Sequence, residues 1–284
     1  MSQNNNISYQ TIYSTQIYLN SANADLFLNY SKEDKSNVVF FFKEALKIER
    51  NSIETRVSIV DAQIPVSWYL INSTNNKITI TVNNISTTYL FPHGNYNVYS
   101  FINAWYSVVG NNSIWNLTFN STTNKLLFHN YQNTEYYFTD LGNSIFPIIG
   151  FSNGNTYSSN VTGDILSNNV INFAGLTKLN IKTSTFTTRN IDSKNKGHTR
   201  ALASVPVNSS ANGIIYYYNN NDYKSIFRNY ELSSIGIEIL DDFKNYVEFN
   251  NIDWTITLQI DVVMEIVNNL ETMEDIYNNL NQEL

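Results

Sequence analysis

The chain reads as a mainly β protein: a single eight-stranded jelly-roll sandwich with an inserted small α+β domain and a short C-terminal helix. Three observations predict this. Long strand-like segments occur three times before and five times after a block of short hairpins, and eight is the strand count of a two-sheet jelly roll. The block itself, residues 77–164, mixes short hairpins with one helical stretch and is large enough for a small domain. The last long segment, residues 253–264, alternates strictly: Trp254, Ile256, Leu258, Ile260, Val262 and Met264 form one face, opposed by Thr255, Thr257, Gln259, Asp261 and Val263.

Composition supports a folded core. Hydrophobic residues make up 42% of the 284 positions and charged residues only 14%, so the chain has enough apolar surface to fold and draws its polarity from Asn, Ser and Thr. The asparagines accompany abundant Ile, Tyr and Phe, a set that A/T-rich codons encode, and so need no functional explanation. A net charge of −7 argues against nucleic acid as the main partner. Cysteine is absent, which removes disulfides and thiolate metal sites and leaves packing or assembly to stabilise the fold. The first ten residues, MSQNNNISYQ, have no signal-peptide pattern, and no apolar run is long enough to span a membrane. The expected setting is a reducing cell interior.

In chain order, residues 1–8 read as a polar arm and residues 11–19 as the first strand. Residues 20–35 form a loop in which Leu26 and Leu28 can pack. The run VVFFF at 38–42 predicts a second strand with both faces covered. Residues 52–62 form the third. Its alternation slips between Ile59 and Val60, which requires either a bulge or burial on both faces. It leads into Pro65, which cannot donate to a ladder and belongs at a strand end, edge or bulge, and then into Trp68 and Tyr69.

Within the block, residues 77–91 form a hairpin around Asn83-Asn84, a pair that tolerates positive φ. Residues 97–109 form a helix with Phe101, Ala104, Trp105 and Val108 on one face, stopped at Gly110. A second hairpin (114–119 and 125–129), a short strand at 135–138 and the segment IFPIIGF complete it. Five strands follow, at 177–187, 200–208, 213–218, 234–240 and 253–264. From Glu265, the stripe Ile266, Leu270, Met273, Ile276, Tyr277 and Leu280 predicts a helix that caps its own sheet or docks on a neighbour.

Chemistry-bearing patterns are sparse. His93, His129 and His198 lie far apart with no shared carboxylate spacing. Asp241-Asp242 reads as a solvated turn or a hard-cation site, and Asp61, in an apolar strand, as a carboxylate needing a hydrogen-bond partner. No phosphate loop, dinucleotide fingerprint or serine elbow occurs, so the expectation is no enzyme and no cofactor. One basic cluster, Arg189, Lys194, Lys196, His198 and Arg200, reads as a solvated loop or as a contact to an acidic neighbouring subunit. Trp105, Trp115 and the tyrosines offer a carbohydrate-binding alternative.

Residues 57–72 (VSIVDAQIPVSWYLIN), the hairpin and helix after them, and then NFAGLTKLNIKTSTF, RALASVPV, SSIGIEILDDF and NNIDWTITLQID carry a resemblance. In segment order and local wording, across most of residues 11–264, the chain resembles the penton or minor capsid proteins of virophages, polinton-like elements and related large DNA viruses. The resemblance implies a structural protein of the virion: a jelly-roll domain from residues 1–76 and 165–284, an outward-projecting domain from 77–164, and a homopentamer at the five-fold vertices of an icosahedral shell, meeting the major capsid protein. It places Pro65, Trp68 and Tyr69 at the domain junction, where strand D of the usual B-to-I lettering leaves the shell sheet. The 1–10 arm and the loop bearing Arg189, Lys194, Lys196 and Arg200 become expected subunit contacts, and the inserted domain an expected site for a host glycan or receptor. The alternative is a minor capsid or cement jelly roll without a five-fold ring.

Overall fold

The structure, a computed structural model, describes residues 6–28, 35–48, 52–132, 134–188, 190–191, 199–227 and 231–268, the side chains of 6–9 and 265–268 excepted. The chain divides into two compact units, Met1–Ser67 with Lys178–Leu284, and Trp68–Thr177.

The first unit opens with β1 (Asn6–Asn20), β2 (Leu26–Phe27), β3 (Asn37–Lys47) and β4 (Glu54–Pro65). The second holds β5 (Lys77–Val82), β6 (Ile85–Leu90), α1 (Val98–Val108), β7 (Trp115–Asn120), β8 (Lys125–Asn130), β9 (Tyr136–Thr139), β10 (Thr156–Ser158) and β11 (Asp164–Leu166). The chain then returns to the first unit with β12 (Lys178–Thr183), β13 (Ala201–Pro206), β14 (Ile214–Tyr218), β15 (Ser225–Phe227), β16 (Glu231–Leu240) and β17 (Thr255–Asn268).

In the first unit one sheet runs β1-β17-β4-β14, with β15 also on β4, and the other β13-β12-β16-β3-β2. Lettered in chain order from β1 as B, with β14 and β15 together as G, these orders are B-I-D-G and F-E-H-C, the two sheets of a jelly roll. The core is mainly aliphatic, with Phe40, Phe186, Phe227, Phe249 and Trp254 also buried in this unit. Val57, Ile59, Ala62 and Ile64 of β4 and Ile256, Leu258, Ile260 and Val262 of β17 are buried, as are Leu179, Ile181, Ile235, Ile237 and Ile239 of the other sheet. Pairing opposite one another on alternating positions, β-branched side chains fill the gap of about 10 Å between sheets without breaking the ladders.

The slip between Ile59 and Val60 is a bulge. Thr257 pairs with Asp61 and Leu258 with Ile59, so Val60 has no partner on β17 and both halves of β4 keep their apolar faces inward. The break is matched on the other side, where β14 pairs with β4 down to Tyr218 opposite Asp61 and β15 resumes with Ser225 opposite Val57. The Val60 carbonyl instead accepts the Asn219 N–H at 3.0 Å, starting the loop between them.

Four expectations need correction. Residues 6–8 belong to β1, because Asn6–Thr11 pair with Val263–Asn268. The same pairing carries β17 through Asn268, so the chain is a strand where a helix was expected from Glu265; the remainder of that stretch lies outside the described residues. The VVFFF run is not covered on both faces: Val38 and Phe40 are buried, while Phe41 is 55% exposed. The unit borders lie outside 77–164. Ile71 exchanges both backbone hydrogen bonds with Gly94, Ile71 and Ile165 are buried in the second unit's core, and Ile171 and Phe173 pack against it.

That second core is aromatic. Phe91, Phe101, Trp105, Trp115, Phe128, Tyr136, Phe138, Phe146 and Phe151 are buried together. Helix α1 is fixed by a capping box: Asn97 accepts the Ser100 N–H at 2.9 Å, and the Ser100 hydroxyl accepts the Asn97 N–H at 2.9 Å. Its buried residues, Phe101 and Trp105, lie on the predicted face. The Asn83-Asn84 turn has φ of 51° and 65°, the mirror-image geometry that a two-residue hairpin requires. Gly110 leaves room for Trp115, whose ring would lie 3.1 Å from an added Cβ.

Candidate assembly surface

Of the residues singled out from the sequence, Pro65 closes β4 opposite Ile214, beyond the last β17 pair at Gln63, so its missing N–H breaks no ladder there. Trp68 is buried and Tyr69 exposed, and both belong to the second unit. Arg200 is exposed and its carbonyl accepts the Thr183 N–H at 2.9 Å. Arg189, Lys194, Lys196 and His198 lie outside the described residues, as do residues 1–5 of the arm. Trp105 and Trp115 are enclosed in the aromatic core and present no stacking face to a sugar.

The acidic residues also resolve. Asp241 is buried and satisfied by its own turn: its carboxylate accepts the N–H groups of Phe243 and Asn245 at 2.8 Å each and the Asn245 side-chain amide at 3.0 Å. Among the described residues no group of three or more His, Asp or Glu could hold a metal ion. Asp61 is only half-buried, on the outer face of the sheet. Among the described residues the buried strand carboxylate is Asp261, 2% exposed. Ser14 and Gln259 donate to its Oδ1 at 2.5 and 2.8 Å, and the Lys224 ammonium meets Oδ2 at 2.9 Å. Burial pushes the Asp261 pKa up, but the hydrogen bonds from Ser14, Lys224 and Gln259 and the Lys224 charge outweigh it and hold the group below the usual carboxylate range. The same hydrogen bond raises Lys224. This network ties the loop between β14 and β15 to the middle of the sheet, across β17 to β1. The alternation had marked Asp261 only as one of several polar outer residues; its enclosure depends on Lys224, a loop residue with no pattern to reveal it.

In the second unit His129 Nδ1 meets Asp164 Oδ1 at 2.7 Å, a pairing set by the register of β8 with β11. The outer face of its four-stranded sheet is built of hydroxyls. Thr88, Thr79, Thr139 and Thr156 form one cross-strand row and Ser86, Thr81, Tyr137 and Ser158 the next.

The first unit distributes charge and apolar surface unusually. Edge strands β1 and β14 carry no Lys, Arg, Asp or Glu, whereas β4 has Glu54, Arg56 and Asp61, and β17 has Asp261 and Glu265. Sheet edges are normally guarded by charge, proline or a covering element because their free N–H and C=O groups recruit other strands. Among the described residues, the exposed large apolar side chains borne on this unit's strands lie on β1, β2, β3 and β14: Ile12, Tyr18, Leu26, Phe41, Ile214, Tyr216 and Tyr218. Where the β1 and β3 edges come together, a groove of about 620 Å³ runs along Ile17, Leu19, Phe40, Phe42 and Leu46, with Asp25, Glu44 and Lys47 also in its lining. Tyr18, 75% exposed, and Phe41 flank it. Across the sheet, β14 sets Tyr216 and Tyr218 on the outer face, 53% and 60% exposed.

No protein-family model matches the chain, and no curated protein does. Among solved structures, the chain is similar to the mavirus penton protein, with a TM-score of 0.43 and 9% identity, over 87% of this chain and 99% of that one. It is also similar to a chain in the structure of the Sputnik virophage, with a TM-score of 0.41 and 13% identity, over 90% of this chain and 99% of that one. No helix among the described residues is long and apolar enough to cross a membrane.

Proposed function

We propose that this chain is a structural capsid protein, the penton subunit that forms a homopentamer at the five-fold vertices of an icosahedral virion. One observation carries the reading. The strand order B-I-D-G and F-E-H-C is complete, and the whole inserted unit enters between D and E, where VSIVDAQIPVSWYLIN gives the sequence its penton-like wording. A jelly roll alone hosts many functions. The reading rests on the join between the two units as well as on the sandwich. In it the jelly roll occupies the shell, the inserted unit is displayed outward, and Pro65, Trp68 and Tyr69 mark the junction. Arg200 and the residues around it, with the first residues of the chain, contact neighbouring subunits, including the major capsid protein.

Association is the physical mechanism. Copies related by a fixed rotation bury unlike side faces, and the ring closes when the rotation is one fifth of a turn. The test is co-assembly with a double-jelly-roll major capsid protein, followed by localisation of this chain in the particles. Occupancy confined to the five-fold positions supports the reading. Occupancy between major capsid units, away from the vertices, replaces it with the minor capsid or cement role, and absence from the particles removes the capsid function.

A further inference from the structure

We infer that the subunit contact of the jelly roll is lateral and heterologous: the β1/β3 side of one copy receives the β14 side of a second copy. The inference rests on the penton reading and names its surfaces. Four features of the first unit converge on it.

First, the two edge strands of the B-I-D-G sheet are its charge-free strands. An edge left unguarded in both places is a liability in an isolated chain and suits a chain whose edges are covered by another copy. The incoming β14 strand brings no charge of its own, so the charged groups at the contact are those on the β1/β3 side, Asp25, Glu44 and Lys47. Second, the exposed residues at these edges are of the type that anchors interfaces, with Tyr18 and Phe41 on one side and Tyr216 and Tyr218 on the other. Third, the β1/β3 side offers a groove with Ile17, Leu19, Phe40, Phe42 and Leu46 in its lining, and a β14 strand laid beside β1 turns Ile215 and Tyr217 toward that side while Tyr216 and Tyr218 stay on the outer face with Tyr18.

Fourth, strand direction fits. The four strands β1, β17, β4 and β14 alternate in direction, each pair being antiparallel. A second copy placed with its β1 beside β14 therefore continues the antiparallel alternation, in the same sense at every contact. Such a contact joins unlike edges, which is the requirement for a ring, whereas β14 against β14 would pair like edges and stop at a dimer. The edge is long enough to matter. The shorter side sets the length: β14 and β15 together run along β4 from Pro65 to Thr55, eleven residues, or about 37 Å at about 3.4 Å each. With sheets about 10 Å apart, that is roughly 370 Å² per partner before the loops are added, against about 800 Å² for a standard interface.

The natural absence of cysteine makes the test direct. Tyr18→Cys and Tyr216→Cys are made separately in the full-length chain, each purified reduced, and oxidised alone and as an equimolar mixture at concentrations up to millimolar. The size of the species is followed by native mass spectrometry. The expected result is a disulfide-linked pair in the mixture, mapped to positions 18 and 216, with neither variant linking to itself. The double variant should give a covalent series ending at a closed ring. Self-linking of Tyr216→Cys would overturn the proposal by showing a like-with-like contact. No linkage in the mixture overturns it too, with or without rings of the unsubstituted chain; rings or vertex occupancy without linkage would leave the penton reading standing and remove only this choice of surfaces.

Discussion

The two units solve the same problem, a buried core in a chain poor in charge, in opposite ways. The jelly-roll unit uses long paired strands and a mainly aliphatic filling, with Ile and Val prominent among its buried residues and Trp254 and a few Phe beside them. The inserted unit has short strands and one eleven-residue helix, and compensates with large rings. Trp105 touches Trp115, Phe128 and Phe138 with centroids 5.8, 4.9 and 5.9 Å away, and its indole N–H meets no oxygen acceptor in that enclosure. Aromatic residues bury 150–250 Å² each, so a few of them replace what a longer ladder would contribute. The difference teaches that hydrogen-bonded length and ring volume are interchangeable sources of stability, but leave different surfaces. Long strands end in long free edges, while the inserted unit ends in hydroxyl rows and turns.

This contrast can be broken at its strongest point by Trp105→Ala. Truncating a fully buried Trp should cost about 3–5 kcal/mol, read by calorimetry as a large downward shift of the inserted unit's transition with the jelly-roll transition little changed. A single merged shift would show that the units do not melt separately. Asp261→Asn should act on the other unit and by less, about 2 kcal/mol, because Lys224 loses one of two carboxylate partners but keeps Asp222 at 3.2 Å and access to solvent. The native Asp261 pKa is depressed, so the stabilisation is fully present above the unfolded value of about 3.9 and is lost as pH falls through the lower folded pKa. The unsubstituted chain should therefore lose this contribution below about pH 4 in denaturant titrations, and Asp261→Asn should flatten that part of the profile.

Asn97→Ala removes the cap of α1 and should lower the inserted unit's stability by about 1 kcal/mol, seen as a small shift of the same transition that Trp105→Ala moves. The smallest effect on the monomer is expected from Tyr216→Lys. It is an exposed substitution on an edge strand and should change monomer stability by less than about 0.5 kcal/mol, while lowering association in sedimentation velocity. Equal association before and after the change would separate the edge from the contact.

The sequence exposed the long elements because their period is unambiguous. All eight jelly-roll strands were placed, as were α1 with its buried face and the Asn83-Asn84 turn. The missed strands β2, β10, β11 and β15 have only two or three residues, too few to carry a period. Residues 265–268 failed for the opposite reason: EIVN fits a helical stripe and a strand equally, and the partner Asn6–Tyr9 of β1, distant in sequence, decides. The candidate surface was hardly legible. The basic loop drew attention because charge is conspicuous in a chain with so little of it, whereas the telling feature is charge missing from two strands that become edges only once the sheet order is known.

The central claim, that the jelly-roll edges carry assembly while the inserted unit stands apart from it, is tested most directly by hydrogen exchange on the assembled and dissociated chain. The account predicts new protection in peptides from residues 6–20 and 213–227, with exchange in residues 77–90 and 136–158 unchanged. Protection that appears in the inserted unit's sheet and leaves β1 and β14 as they were would contradict it.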